Sequence, residues 1–334
     1  MKVCIVREDK IGDMILTLPV IKSIKEENLN SIVHVIGSEK NKNVSKYFSF
    51  IDKFIQKSIS ISNFISLVKL TRSQEYDYYF NFSPSWFGIF LGLLSKSKIK
   101  SSLILQSRYK SKTFSKFWQI LIIKLFFSKT KIVNRAELLK QNKNIHQTNM
   151  MISLVLSMGL QVKEDTKLDF NFSNKFELQK HNAVCVIHLS SKWINNYYSE
   201  VNFLELLDSL KEKDISIYLT SDKTSVTKFS EIFNKYPVAT NPDHLFSMKE
   251  QLIICDNFDF ENWVSIINQA DYVITPESGC THIASLTKCK LSVIYDADNF
   301  PSSIMNEYAP WKKKYVALET NDSELNTKLL NFIQ

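Results

Sequence analysis

Three short stretches of this chain combine carboxylate, hydroxyl and lysine side chains at the ends of apolar runs. The first is R-E-D-K-I-G-D, Arg7 to Asp13. A carboxylate on the loop after a first strand can take the proton of a reacting hydroxyl as a general base, and Asp13 is placed for that. Asp is equally at home as a helix N-cap, and both roles can hold at once. Gly12 is expected to allow a tight turn. Arg7 and Lys10 either hold an anionic acceptor or pair with Glu8 and Asp9 on the surface. The second stretch is H-L-S-S-K-W, where Ser190, Ser191 and Lys192 follow an apolar run. Hydroxyls, backbone N–H groups at a following helix start and a lysine make an anion site; the alternative is a plain serine-capped loop. The third is T-P-E-S-G-C-T-H, Thr275 to His282. Pro276 and Gly279 are expected to shape a turn, and a helix of small residues from near Cys280 presents free N–H groups. Glu277 at its mouth can grip sugar hydroxyls, or simply sit favourably at the positive helix end. His188 is expected to be structural; His282, one turn into that helix, either faces the donor or packs against the following strand.

These loops need strands and helices to hold them. K-V-C-I-V-R at Lys2–Arg7, S-I-V-H-V-I at Ser31–Ile36 and Y-D-Y-Y-F-N-F at Tyr76–Phe82 are β-rich, and Met14–Glu26 has helical spacing. After a polar stretch near Thr166–Asn182 the pattern restarts: strands at Ala183–Leu189, Ser216–Thr220, Gln251–Cys255, Tyr272–Thr275 and Leu291–Tyr295, with helices at Val201–Lys211, Ser225–Asn234, Phe260–Gln269 and Thr281–Leu286. Alternating β and α segments predict parallel sheets covered on both faces, and ligands bind outside the carboxyl ends of such strands. At 334 residues two domains are expected, 1–170 and 171–334. A G-x-G-x-x-G fingerprint is absent, which argues against a dinucleotide-binding dehydrogenase.

Composition narrows the classes. Cys4, Cys185, Cys255, Cys280 and Cys289 show no metal or disulfide spacing, which suggests a reducing, cytoplasmic setting. The opening apolar run is too short for a signal peptide, and Trp86–Leu94 and Trp118–Phe127 are too short to span a membrane. Charge is lopsided: residues 1–136 carry +14 and residues 137–334 carry −6, and between Tyr78 and Ala136 there are eleven basic residues and no acidic one. The N-terminal half is therefore expected to face something polyanionic. Ser111–Lys131 interleaves Phe114, Phe117, Trp118, Ile122 and Phe126 with lysines. Either this segment rests on an anionic membrane surface, or its apolar residues pack inward. No nucleic-acid recognition motif accompanies the charge, so nucleic acid is not expected as a partner.

Taken together, the three loops resemble the ADP-heptose:lipopolysaccharide heptosyltransferase family, glycosyltransferase family 9. The opening R-x-D-x-I-G-D-x-x-L-T-L-P is present as Arg7, Asp9, Ile11, Gly12, Asp13, Leu16, Thr17, Leu18 and Pro19. The late A-D and D-T-G-x-x-H-x-A elements are matched by Ala270–Asp271 and by Glu277 through Ala284; Y-D-Y-Y-F-N-F and H-L-S-S-K resemble two further family elements. The resemblance implies an α/β GT-B fold, two Rossmann-like domains with parallel sheets facing a central cleft, the acceptor on the N-terminal side and the nucleotide sugar on the C-terminal side. It implies an inverting, metal-independent transfer of a heptose or similar sugar from an ADP-sugar to a lipopolysaccharide or lipooligosaccharide core, with no cofactor besides that co-substrate. It implies Asp13 as base, with Arg7, Lys10 and Gly12 near the acceptor. Ser190, Ser191, Lys192, Glu277, Ser278, Gly279, Cys280 and His282 fall on the donor side. The partners it implies are a nucleotide-sugar donor and an anionic glycolipid at the cytoplasmic face of the inner membrane. Two departures stand out: Glu277 replaces the family's Asp, and Asn195-Asn196-Tyr197-Tyr198 lacks the second basic residue often found there. A relative using another nucleotide sugar for another surface glycan, or a GT-B protein that binds glycan or lipid without transfer, are the alternatives.

Overall fold

Strands buried on both faces read as near-continuous apolar runs, and β1, Lys2–Arg7, is buried from its second residue onward. In the computed structural model, which describes residues 1–83, 85–105, 113–133, 145–168, 170, 172–221 and 225–334, the chain divides into two units, Met1–Leu168 and Asp169–Gln334.

The first unit holds β1, β2 (Ile32–Gly37), β3 (Lys53–Gln56), β4 (Tyr78–Asn81), β5 (Ile99–Leu105) and β6 (Lys129–Val133). They form one sheet in the order β3-β2-β1-β4-β5-β6, and every pairing is parallel. The register aligns Val3 with both Val33 and Tyr78. The helix Ile11–Glu27 follows β1 and buries eleven of its seventeen residues. It starts earlier than its apolar spacing predicts, because the Asp13 carboxylate takes the Lys10 N–H and closes the first turn. On the helix Trp86–Leu94, a Cβ at Gly92 would lie 2.5 Å from the Tyr79 ring, and one at Gly88 would collide with Asn81. Those two glycines let this helix lie close on β4.

The second unit holds β7 (Ala183–His188), β8 (Ile215–Ser221), β9 (Val238–Ala239), β10 (Leu252–Asp256), β11 (Tyr272–Pro276), β12 (Lys290–Tyr295) and β13 (Val316–Glu319). Their order is β13-β12-β11-β7-β8-β10-β9, again with parallel pairings. One core cluster, including Trp193, Phe203, Leu207 and Phe229, fills a face of this sheet.

In each sheet the strand order reverses next to the unit's first strand: between β1 and β4, and between β7 and β11. Loops leaving the carboxyl ends of two such strands part to opposite faces and open a crevice where ligands settle. The α/β class with two parallel sheets matches the expectation. The strands β3, β5, β6, β9 and β13 go beyond it. The helix expected over Ser225–Asn234 is a short 3₁₀ turn, Val226–Lys228, followed by Ser230–Lys235. Among the described residues, no helix is long and apolar enough to cross a membrane.

Candidate active site

The crevice of the first unit is built around Asp13. The helix N-cap is Lys10, and Asp13 stands three residues in, its carboxylate accepting the Lys10 backbone N–H (Oδ2, 3.2 Å). Asp13 therefore takes the N-cap N–H from inside the first turn and is not itself the N-cap the sequence suggested; the Lys10 ammonium, which has no acceptor, returns no bond. Gly12 is buried and helical, and among the described glycines only Gly159 has positive φ; no tight turn is made there.

Arg7 is 2 % exposed. Its Nη2 donates to Asp13 Oδ1 at 2.6 Å, its Nε to the Asp13 carbonyl at 3.2 Å, and its Nη1 to the Phe82 carbonyl at 2.5 Å. Asp9 lies 3.5 Å from the same guanidinium. The guanidinium expected to face an anionic acceptor is instead turned inward, onto Asp13 and the Phe82 carbonyl. Lys10, by contrast, is exposed. Thr17 Oγ1 also donates to the Asp13 carbonyl, at 2.8 Å. Held at both ends, the Asp13 side chain still keeps 18 % of its surface, so a substrate hydroxyl can approach it.

Residues that the sequence did not single out complete this crevice. Ser83, after β4, accepts from the Glu8 N–H at 2.9 Å and donates to Asp9. Ser85 and Lys57 both bind the Glu8 carboxylate. Burial pushes the Lys57 ammonium down from its ordinary value, and it lies over the Phe87 ring at 4.3 Å. The available signal was topological: the two serines of Phe82–Ser85 follow the strand that borders β1.

The crevice of the second unit joins the other two stretches. Lys192 Nζ lies 2.6 Å from Glu277 Oε2 and also donates to the Glu277 carbonyl. The lysine side chain is 41 % exposed and the glutamate 15 %. No helix follows the serines at once: residues 191–197 are turn and bend, and the next helix is Glu200–Lys211. Instead a buried Trp193 anchors the loop, donating from Nε1 to the His188 carbonyl at 2.9 Å while its N–H reaches the Ser190 carbonyl at 3.0 Å. Ser190 and Lys192 are partly exposed and Ser191 is exposed. His188 meets Thr220 Oγ1 at 3.0 Å, in keeping with a structural histidine.

The helix after β11, Gly279–Ser285, has a capping box of its own. Around its start, Cys280 N–H donates to Ser278 Oγ at 3.2 Å, Ser278 N–H to Thr281 Oγ1 at 3.2 Å, and Glu277 N–H to the Ile294 carbonyl at 2.9 Å. Glu277, Ser278 and Gly279 are partly exposed, whereas Cys280 and His282 are buried. Burial pushes the Cys280 thiol up to about 12, so it stays a neutral core group. Thr220, Ser221 and Asp222, at the end of the central strand β8, are candidates for the nucleobase: Ser221 Oγ donates to Asp256 at 2.6 Å, and Asp222 lies outside the described residues. Among the described residues, no group of three or more His, Cys, Asp and Glu is arranged to hold a metal ion.

This geometry meets its relatives in three comparisons. A family model described as glycosyltransferase family 9 (heptosyltransferase) matches residues 64–328. That span contains the Lys192 and Glu277 loops and leaves Arg7–Asp13 outside it. Over 329 residues the chain is 22 % identical to lipopolysaccharide heptosyltransferase 3 of Escherichia coli, covering 93 % of this chain and 86 % of that protein. The structure of a family 9 glycosyltransferase from Veillonella parvula is similar with a TM-score of 0.71 at 17 % identity, over 99 % of this chain and 89 % of that one. The E. coli heptosyltransferase WaaC with ADP is similar at a TM-score of 0.68 and 14 % identity, over 100 % of this chain and 99 % of that one. At such identities the structural likeness speaks for the fold, GT-B.

Proposed function

Because this chain belongs to glycosyltransferase family 9, and is therefore a glycosyltransferase, we propose that it transfers a heptose from an ADP-sugar to a lipopolysaccharide core acceptor with inversion at the anomeric carbon. The observation that carries the reading is the Asp13 carboxylate, gripped by a buried arginine at 2.6 Å yet still reached by solvent. The acceptor class follows the relative named for lipopolysaccharide, and the adenine nucleotide follows the relative bound to ADP.

In this mechanism the acceptor oxygen attacks the anomeric carbon as its proton passes to Asp13. The bond from that carbon to the donor phosphate breaks, and both electrons leave with the nucleoside diphosphate. Arg7 fixes the orientation of the base and balances its charge through the two Asp13 contacts. Lys192 is the cation that meets the leaving diphosphate, and fixed charge of this kind is a major part of transition-state stabilisation. Glu277 accepts from donor-sugar hydroxyls. The N-terminus of the helix Gly279–Ser285, beside Glu277, adds its positive end to that countercharge. Transfer then proceeds with protein cations and needs no divalent metal.

The test incubates the protein with ADP-heptose and core-truncated lipopolysaccharide, with and without EDTA. ADP release and the anomeric configuration of the product are followed by NMR. The reading expects ADP release that depends on acceptor, an inverted linkage and indifference to EDTA. Transfer from a different nucleotide sugar would instead select the alternative that Glu277, one methylene longer than the family's Asp, favours. Donor binding with no turnover would select a binding protein.

A further inference from the structure

The helix Thr113–Phe126 turns its apolar side the wrong way for a helix of a water-soluble surface. At 100° per residue, Phe114, Phe117, Trp118, Leu121 and Leu125 fall within one arc of about 100°, a stripe of the width that ordinarily faces a core. Here that stripe faces solvent: the five side chains are 38 to 75 % exposed. The opposite side of the helix is already occupied, with Gln119 and Ile123 buried and Phe127 just beyond. The neighbouring helix Trp86–Leu94, tied on by Trp86 Nε1 to Ser115 Oγ at 3.2 Å, adds exposed Phe90. One side of the helix thus packs inward and the other leaves its apolar side chains in solvent.

We propose that this stripe is a docking surface for an anionic lipid membrane. Charge decides the occupant. The stripe lies in the span of eleven basic and no acidic residues between Tyr78 and Ala136. Within it, Lys96 and Lys124 are exposed, Lys124 one residue before Leu125, whereas Arg108, Lys110, Lys112 and Arg135 lie outside the described residues. A second copy of this chain would bring like charge, the exposed Lys96 and Lys124, to the contact. A bilayer carrying anionic headgroups brings the opposite charge and accepts aromatic side chains at the headgroup boundary. Attachment of this kind is reversible and weakens with salt. The inference stands on the N-terminal unit alone and does not depend on the transfer reading.

The test is sedimentation of the full chain with phosphatidylcholine vesicles and with vesicles of phosphatidylcholine and phosphatidylglycerol, at low and high salt. The expected result is co-sedimentation with the anionic vesicles, reduced by salt, and little with the neutral ones. Phe114→Ser with Trp118→Ser and Leu125→Ser should weaken partitioning roughly tenfold or more, with the circular dichroism of the wild type. Phe114→Leu with Trp118→Phe should keep binding, which guards against a folding artefact. Lys124→Gln should lower binding only at low salt. Equal or absent sedimentation with both vesicle types would overturn the proposal. So would a serine variant that binds like wild type, or one that abolishes self-association while vesicle binding never occurs.

Discussion

The two crevices share a topology and differ in how their charges are partnered. At the β1/β4 crevice, Arg7, Lys57, Glu8, Asp9, Ser83 and Ser85 are cross-linked into one network, and its centre is 2 % exposed. At the β7/β11 crevice a single pair, Lys192 and Glu277, bridges the two loops, and the lysine is 41 % exposed. The first arrangement holds one carboxylate still; the second offers a cation whose present partner is another residue of the chain. A base must be aimed within a fraction of an ångström, whereas a phosphate contact has to form and dissolve at every turnover. The same fold thus supplies a rigid end and an exchangeable end.

The largest effect should come from the rigid side. Asp13→Asn keeps the shape and removes the base, and kcat should fall by about 10²–10⁴-fold with ADP affinity unchanged in calorimetry. Wild-type turnover would remove Asp13 from the chemistry. Arg7→Met should lower stability by about 3 kcal/mol in urea unfolding, the lower end for removing one partner of a buried pair, because Asp13 retains some water. It should also slow turnover, since the base loses its anchor. An unchanged melting temperature would show that the network is not the anchor it looks to be.

The exchangeable side should respond in binding instead. Lys192→Met should weaken ADP about 10–100-fold, the range of a lost hydrogen bond to a charged group, and leave urea stability nearly intact. Adding Glu277→Gln sharpens the comparison. If Lys192 serves only to neutralise Glu277, the double variant recovers ADP affinity; if it holds phosphate, the loss persists. The smallest effect is expected for Glu277→Asp: a several-fold change in preference among donor sugars, because a site hydrogen-bonded to hydroxyls senses one methylene. Identical relative rates across donors for both proteins would take Glu277 out of the sugar site.

The parts of this molecule that were legible in its sequence are those where one residue type has one reason to be there. Buried parallel strands such as V-C-I-V and V-I-T are apolar on both faces and announce themselves. Strand β5, with Ser101 and Ser102 fully buried and Asn81 Nδ2 donating to Ser102 Oγ at 3.1 Å, does not. Its polar residues are satisfied by partners that local pattern cannot show. The same holds at the site. The loops after β1, β7 and β11 were found, but the fate of Arg7 was not. An arginine after a strand is written identically whether it turns outward or, as here, binds a carbonyl 75 residues away. Side chains that reach back to the N-cap made the other difference. Thr281 closes on Ser278 and Asp13 on Lys10, so each N-cap N–H is taken by a side chain three residues on.

The strand order carries a consequence for how the chain is made. β1 is synthesised first, yet it lies in the interior of its sheet, and its partner β4 and the carbonyl of Phe82 come 75 residues later. At ordinary translation speeds of about 5–20 residues per second, that interval is about 4–15 s. For that time a sticky apolar strand and its arginine wait on the ribosome without their neighbour. The second unit repeats the delay, since Glu277 follows Lys192 by 85 residues. Nascent chains halted before Phe82 should therefore lack protection from proteolysis at Lys2–Arg7, and those halted well past Leu105 should gain it. Both crevices are late products of synthesis, assembled only when the strand that reverses the order has arrived.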